Sequence, residues 1–148
     1  MFIAPRRLTC ETWARAGVPA YSYRFNAIPA GIPYYLGVTH VQEIEFVFYN
    51  LNGVGYTVPP FQGKPPSYAA LARLMTSSWA SFMHDLDPNS FRATNLNVSG
   101  NTTRWPAYSV QSPMNYVFDA NVSSYGEPDT IRAAGISLIN SANLAYRR

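Results

Sequence analysis

Charge is scarce in this chain. Aspartate, glutamate, lysine and arginine supply 13% of its 148 residues, about half of the ~25% usual for globular domains. So few groups suited to a solvated surface point to a polypeptide whose faces expect to be covered by other polypeptide. The charge that is present has no pattern. The net value is +3 and arginine pairs occur only at 6–7 and 147–148, so the basic stripe of a nucleic-acid binder is missing. Cys10 is the single cysteine, which excludes an internal disulfide. No run approaches the ~18 consecutive apolar residues of a membrane helix. The opening "MFIAPRRLTC" lacks a signal-peptide layout, because its apolar stretch is short and arginines follow it. Taken literally, such a chain is expected to stay in the cytosol. There is no G-x-S-x-G elbow and no glycine-rich oxyanion loop, the local marks of a nucleophilic serine.

What the chain has in quantity is apolar and aromatic surface, 47% and 15% of residues. The length fits one domain, able to bury about two-thirds of its unfolded surface. "RRLTCETWARA" at 6–16 reads as the end of a helix, with Thr9 a candidate cap and Gly17 and Pro19 as its stop. In "AYSYRFNA" at 20–27, Tyr21, Tyr23 and Phe25 alternate with polar residues, which predicts a strand over 20–26. A proline- and glycine-rich loop follows at 28–39, with His40 at its far end, and "QEIEFVF" has room for one or two helical turns. A second glycine- and proline-rich loop fills 50–66. The spacing of Tyr68, Leu71, Met75, Trp79, Phe82 and Leu86 predicts a helix over 67–86, ended by Asp87-Pro88-Asn89. Residues 90–104 read as an exposed loop. "PAYSV" and "NYVFDA" around "QSPM" predict a hairpin near 106–119. Pro128 suits the first position of a last helix over 128–145, with Ile131, Leu138, Ile139 and Ala142 on its apolar side.

The chemistry-bearing residues are few. His40 and Glu43 form an H-x-x-E half-site, but a zinc site needs three or four ligands. The other histidine, His84, is placed inside a helix. "DLDPN" at 85–89 opens like a calcium loop, yet Ser90 and Leu96 stand where that loop needs glycine and glutamate. Neither a metal nor a cofactor is expected. A Cys10–His40 thiol dyad has nothing near Cys10 to activate it. On the residues alone His40 is read either as a catalytic base or as a loop histidine bonded to local backbone. Glu43 is read either as a working carboxylate or as a helix-face or capping one. Three glycosylation sequons, at Asn97, Asn101 and Asn121, lean towards a secretory origin.

"GVTHVQEIEFVF" at 37–48 resembles the histidine segment of the type-B carboxylesterase/lipase family, which includes the cholinesterases. In that family a catalytic histidine is followed by two residues, a glutamate and an apolar run; His40, Glu43, Phe46 and Phe48 stand in register. The resemblance extends to "YSYRFNAIPAGIP", "LMTSSWASFMHDLDPN" and "RWPAY". "NYVFDANVSSYGEPDTIRAAGI" and "RRLTCETWARAG" resemble the secreted fungal branch. One departure is Val41, where many members carry glycine or an aromatic residue.

The resemblance implies the C-terminal part of an α/β-hydrolase fold spanning residues 1–148. The strand at 20–26 would precede the histidine loop and a helix, hairpin and C-terminal helix would follow. It implies hydrolysis of small carboxylic esters through an acyl-serine, without metal or cofactor, with His40 as general base. It implies that Glu43 is a carboxylate buried behind the site, orienting neighbours and water. The family's serine, oxyanion glycines and triad acid have no counterpart here, so the expected partner is the N-terminal part of the domain. A remnant inactive alone, one chain of a split esterase and a non-catalytic interaction module are all compatible with these residues. The strand at 20–26 is expected to carry an open edge.

Overall fold

The structure, a computed structural model, describes residues 3–93 and 103–146. The predicted glycosylation sites Asn97 and Asn101, and Leu96, lie outside the described residues. The order of elements is α1 (Ile3–Arg15), β1 (Tyr23–Asn26), α2 (Ile44–Val47), α3 (Pro66–Asp85), β2 (Met114–Asp119), β3 (Tyr125–Pro128) and α4 (Ala133–Tyr146), with single 3-10 turns at Tyr34–Leu36 and Ser90–Ala93. The three strands are ordered β1-β2-β3, which leaves β1 on an edge as expected. The five residues between β2 and β3 are too few for a parallel crossover, so these two strands form an antiparallel hairpin. The chain divides into two compact units, one from the described residues of Met1–Tyr23, Pro106–Tyr116 and Gly126–Arg148, the other from those of Arg24–Trp105 and Val117–Tyr125.

In the first unit α1 ends where glycine permits it. Gly17 takes φ +73, and the N–H groups of Gly17 and Val18 reach back to the carbonyls of Ala14 and Trp13 at 3.2 and 2.9 Å. That pair of bonds satisfies the last carbonyls of the helix. Thr9, expected as a cap, lies in mid-helix instead. Cys10 packs on Ala20 and Tyr108 in a small apolar cluster. Beside it sits a polar buried site centred on Asp129. The Asp129 side chain is 0% exposed and accepts from Arg6 at 2.6 and 2.9 Å, Arg7 at 2.7 and 3.1 Å, the Tyr108 hydroxyl at 2.9 Å and the Asn115 amide at 3.1 Å.

That hub corrects two expectations. Pro128 does not open the last helix: it ends β3, Asp129 is held by the arginines, and Arg132 at φ +52 breaks the backbone run before α4 begins at Ala133. Of the predicted apolar side, Ile131, Leu138 and Ile139 are exposed, and the buried residue is Ile136. The hairpin is not 106–119 either. "PAYSV" forms no strand; Tyr108 is anchored by its N–H to Ala20 O at 2.7 Å and by its hydroxyl to Asp129. The partner of β2 is therefore 125–128, a stretch with Gly126 and Pro128 whose sequence carries little strand signal.

In the second unit α3 starts with Pro66 in its first turn and stops at Leu86, which takes the left-handed conformation and donates to Phe82 O. Tyr68, Leu71 and Met75 are buried as the spacing predicts, and Trp79 packs on Trp105 and Phe118 at 5.5 and 5.7 Å. Phe82 and Leu86 are exposed instead of buried. The buried face turns towards Ser78 and Ser81 because the chain after the helix folds back there. Ser81 Oγ donates to Asp87 O at 2.8 Å and accepts from the Phe91 N–H at 3.2 Å. Asp87 is engaged by Asn89 and Arg104, which makes "DLDPN" a helix stop.

Candidate functional site

The histidine segment belongs wholly to the second unit. β1 runs into the proline-rich loop, the 3-10 turn at Tyr34–Leu36 and Gly37 reverse the chain, and His40 follows in an exposed turn just before α2. This is where the loop-end reading put it, and neither mid-strand nor mid-helix. The turn is braced from within: the buried Gln42 side chain donates to Thr39 Oγ1 at 2.8 Å, spanning the histidine. Val41 takes φ +71. For a β-branched residue that region costs on the order of 1–3 kcal/mol, and it persists only where surroundings over-determine it. The departure noted in the sequence thus falls on one of two left-handed positions of the motif, the other being filled by Gly37.

Two residues anchor the turn from below. Phe46 is 0% exposed and sits among Phe25, Phe61 and Tyr68 with ring centroids 4.9, 4.8 and 6.0 Å away. Glu45 is buried, and the Tyr56 hydroxyl donates to its carboxylate at 3.2 Å. Burial pushes the Glu45 carboxyl above its ordinary pKa, while a backbone N–H and Tyr56 pull the other way and Glu43 adds to the rise. α2 is tied to α3 by Thr76, whose single hydroxyl proton has the carbonyls of Phe46, Val47 and Ala72 within 3.0 Å. A cavity of about 390 Å³ opens beside the turn, with Ile32, Val41, Ile44 and Pro60 as apolar wall and Glu45 and Tyr56 at its polar end.

Glu43, expected behind the histidine, caps α2 with its backbone and is half-buried. The deeply buried carboxylate is Glu45, which sequence reasoning passed over. Its signal was available: it stands between Ile44 and Phe46 in an otherwise apolar run, where a charged residue is rarely buried without a partner. Cys10 sits in the first unit, and burial pushes its thiol up, against the pull of Arg6; such a thiol is not activated. Among the described residues no group of three or more histidine, cysteine, aspartate or glutamate side chains could hold a metal, and no helix is long and apolar enough to cross a membrane. Asn121 lies exposed in the β2–β3 turn.

Comparison with known proteins sets this geometry in context. The profile of the Carboxylesterase family matches residues 1–130. The chain belongs to the carboxylesterase family. It is 30% identical over 108 residues to the acetylcholinesterase of Gallus gallus, a match covering 72% of this chain and 12% of that protein. Among solved structures it is similar to the Geobacillus stearothermophilus carboxylesterase EST55. At pH 6.2 that enzyme gives a TM-score of 0.64 and 32% identity over 86% of this chain and 24% of that one. At pH 6.8 the values are 0.63 and 31%, with the same coverage. The chain thus spans about an eighth of the curated relative and about a quarter of the solved enzyme. Its α/β architecture is a portion of the α/β-hydrolase fold of carboxylesterases.

Proposed function

We propose that this chain is the histidine-bearing segment of a secreted serine carboxylic-ester hydrolase, with His40 as general base. The imidazole takes the proton of a serine hydroxyl as the oxygen attacks the ester carbonyl, and returns it to the alcohol that leaves. Glu43, half-buried one turn on, orients neighbouring groups and water. The substrate is a small carboxylic ester, and the serine, the oxyanion donors and the triad acid come from polypeptide outside these 148 residues. What supports the reading most is the exposed, braced turn that carries His40, in a chain of the carboxylesterase family.

A second observation favours a polypeptide partner over free-standing use. Of the exposed large hydrophobic residues, Tyr34, Tyr35, Leu36, Phe48, Tyr49, Val54 and Tyr56 crowd into the stretch around His40. Exposed apolar patches of this kind mark interaction surfaces. The test is hydrolysis of short acyl esters. The chain alone is expected to be inactive, since loss of the nucleophile costs on the order of a million-fold in turnover. Joined to a preceding esterase segment that carries G-x-S-x-G, it should be active. His40→Ala should then abolish the activity, and Glu43→Gln should lower it less. Hydrolysis by the chain alone that disappears in His40→Ala would overturn the proposal, as would full activity of His40→Ala in the joined protein.

A further inference from the structure

The β2–β3 turn carries an Asn-x-Ser sequon beside a groove. Its ends are pinned by two buried residues, Asp119 and Ser124. Asp119 Oδ1 accepts the backbone N–H of Asn121 at 2.8 Å, Asp119 Oδ2 accepts from the Asn26 amide at 2.7 Å, and Ser124 Oγ accepts the Asp119 N–H at 3.3 Å. Held at its base in this way, the turn presents Asn121, Val122 and Ser123 to solvent. These three residues are the sequon Asn-Val-Ser. The Asn121 side-chain amide has no hydrogen-bond partner among the described residues. Alongside runs a groove of about 750 Å³, floored by the first turns of α3 through Pro66, Ser67, Ala69, Ala70 and Arg73. Arg73 is fixed at the edge, donating to the Tyr49 hydroxyl at 3.2 Å.

We propose that Asn121 is an N-glycosylation site and that the first sugars of its glycan lie in this groove. In the modification the Asn121 side-chain nitrogen bonds to the anomeric carbon of a lipid-linked oligosaccharide. The bond from that carbon to the lipid diphosphate oxygen breaks, the diphosphate leaves with the electron pair, and the nitrogen gives up one proton. The attached N-acetylglucosamine has an apolar ring face and a polar rim. Pro66, Ala69 and Ala70 meet the face; Ser67 and Arg73 meet the rim. The tether makes docking effectively intramolecular, so weak contacts suffice. A glycan there covers the amino-terminal half of α3 in a chain that has little charge to keep it soluble. The site is independent of what His40 does.

The experiment is secretion of the whole 148-residue chain from a eukaryotic host behind a cleavable leader, followed by trimming of glycans to one sugar. Trypsin separates the sites: residues 93–104 carry Asn97 and Asn101, and residues 105–132 carry Asn121 alone. Most of the 105–132 peptide is expected to be heavier by one N-acetylglucosamine, and Asn121→Gln and Ser123→Ala should each return it to the unmodified mass. An unmodified 105–132 peptide from the wild-type chain overturns the site. For the groove, amide exchange over residues 66–74 should be several-fold slower in the one-sugar form than in Asn121→Gln, with α4 unchanged. Ala70→Trp, which fills the groove, should erase that difference while leaving the sugar attached. Equal exchange over 66–74 in the two forms overturns the docking.

Discussion

Replacing Asp129 with asparagine tests how the first unit is held. The substitution keeps the size and removes the charge. Arg7 is 6% exposed at its side chain and Arg6 28%, so one guanidinium is left buried and the other half-screened, both without their counter-charge. Breaking a buried, hydrogen-bonded ion pair from one side costs about 3–5 kcal/mol, a large share of a total stability of about 5–15 kcal/mol. With a urea dependence of about 1–3 kcal/mol per molar for small proteins, the unfolding midpoint should fall by roughly 2 M. The acid limb gives a second reading. Burial alone would raise the Asp129 carboxyl, but Arg6, Arg7 and Tyr108 hold it well below the usual range. A group depressed in the folded state contributes its stability above the unfolded value of ~3.9 and loses it as pH falls through the folded one. Wild-type stability should therefore be flat in this term from pH 7 to 5 and fall below about pH 4, while Asp129→Asn lacks that fall and the two curves converge. Arg15→Ala, which removes an exposed pair with Glu11, serves as control and should cost under about 0.5 kcal/mol. A loss below about 1 kcal/mol for Asp129→Asn in urea titrations, or curves that stay parallel to pH 2, would refute the hub.

Val41→Gly should be neutral or stabilising by up to about 1 kcal/mol in thermal unfolding. Relief of the left-handed backbone offsets the entropy glycine adds to the unfolded chain, and the exposed Val41 side chain buries little. A loss above about 1 kcal/mol would show that its conformation carries no strain. Gly53→Ala should destabilise by about 1–3 kcal/mol by the same assay. Gly53 sits at φ +65 and an added Cβ would lie 2.6 Å from the backbone of Pro59, whereas Gly63→Ala, at φ +69 with open space around it, should cost only the backbone term of about 1 kcal/mol. Equal losses at the two glycines would remove the steric part of that account.

Local pattern was enough for much of the second unit. Alternation marked β1, although the strand occupies only the last four of the seven residues expected; three- and four-residue spacing marked α3, Asp87-Pro88 marked its end, and the proline-rich loop put His40 in an exposed turn. Each of these signals acts over one or two turns of backbone, so neighbouring residues suffice to carry it. The histidine motif, read together with its flanks, was also enough for the family. Only the tertiary structure decided which carboxylates are buried. Glu43 and Glu45 look alike in the chain, and it is Tyr56 and the Phe46 cluster that make Glu45 the inward one. Asp129 shows the same limit more sharply. It follows Pro128, which reads as a helix start, but Arg6 and Arg7, more than a hundred residues earlier, hold it by charge, and the helix begins only at Ala133. The partner of β2 was hidden for a related reason: 125–128 has poor strand propensity and is paired because Asp129 beyond it is pinned, with its own N–H on Pro113 O at 2.8 Å. Periodicity speaks for contacts between near neighbours; desolvation and charge pairing are settled by whichever groups the folded chain brings within a few ångströms.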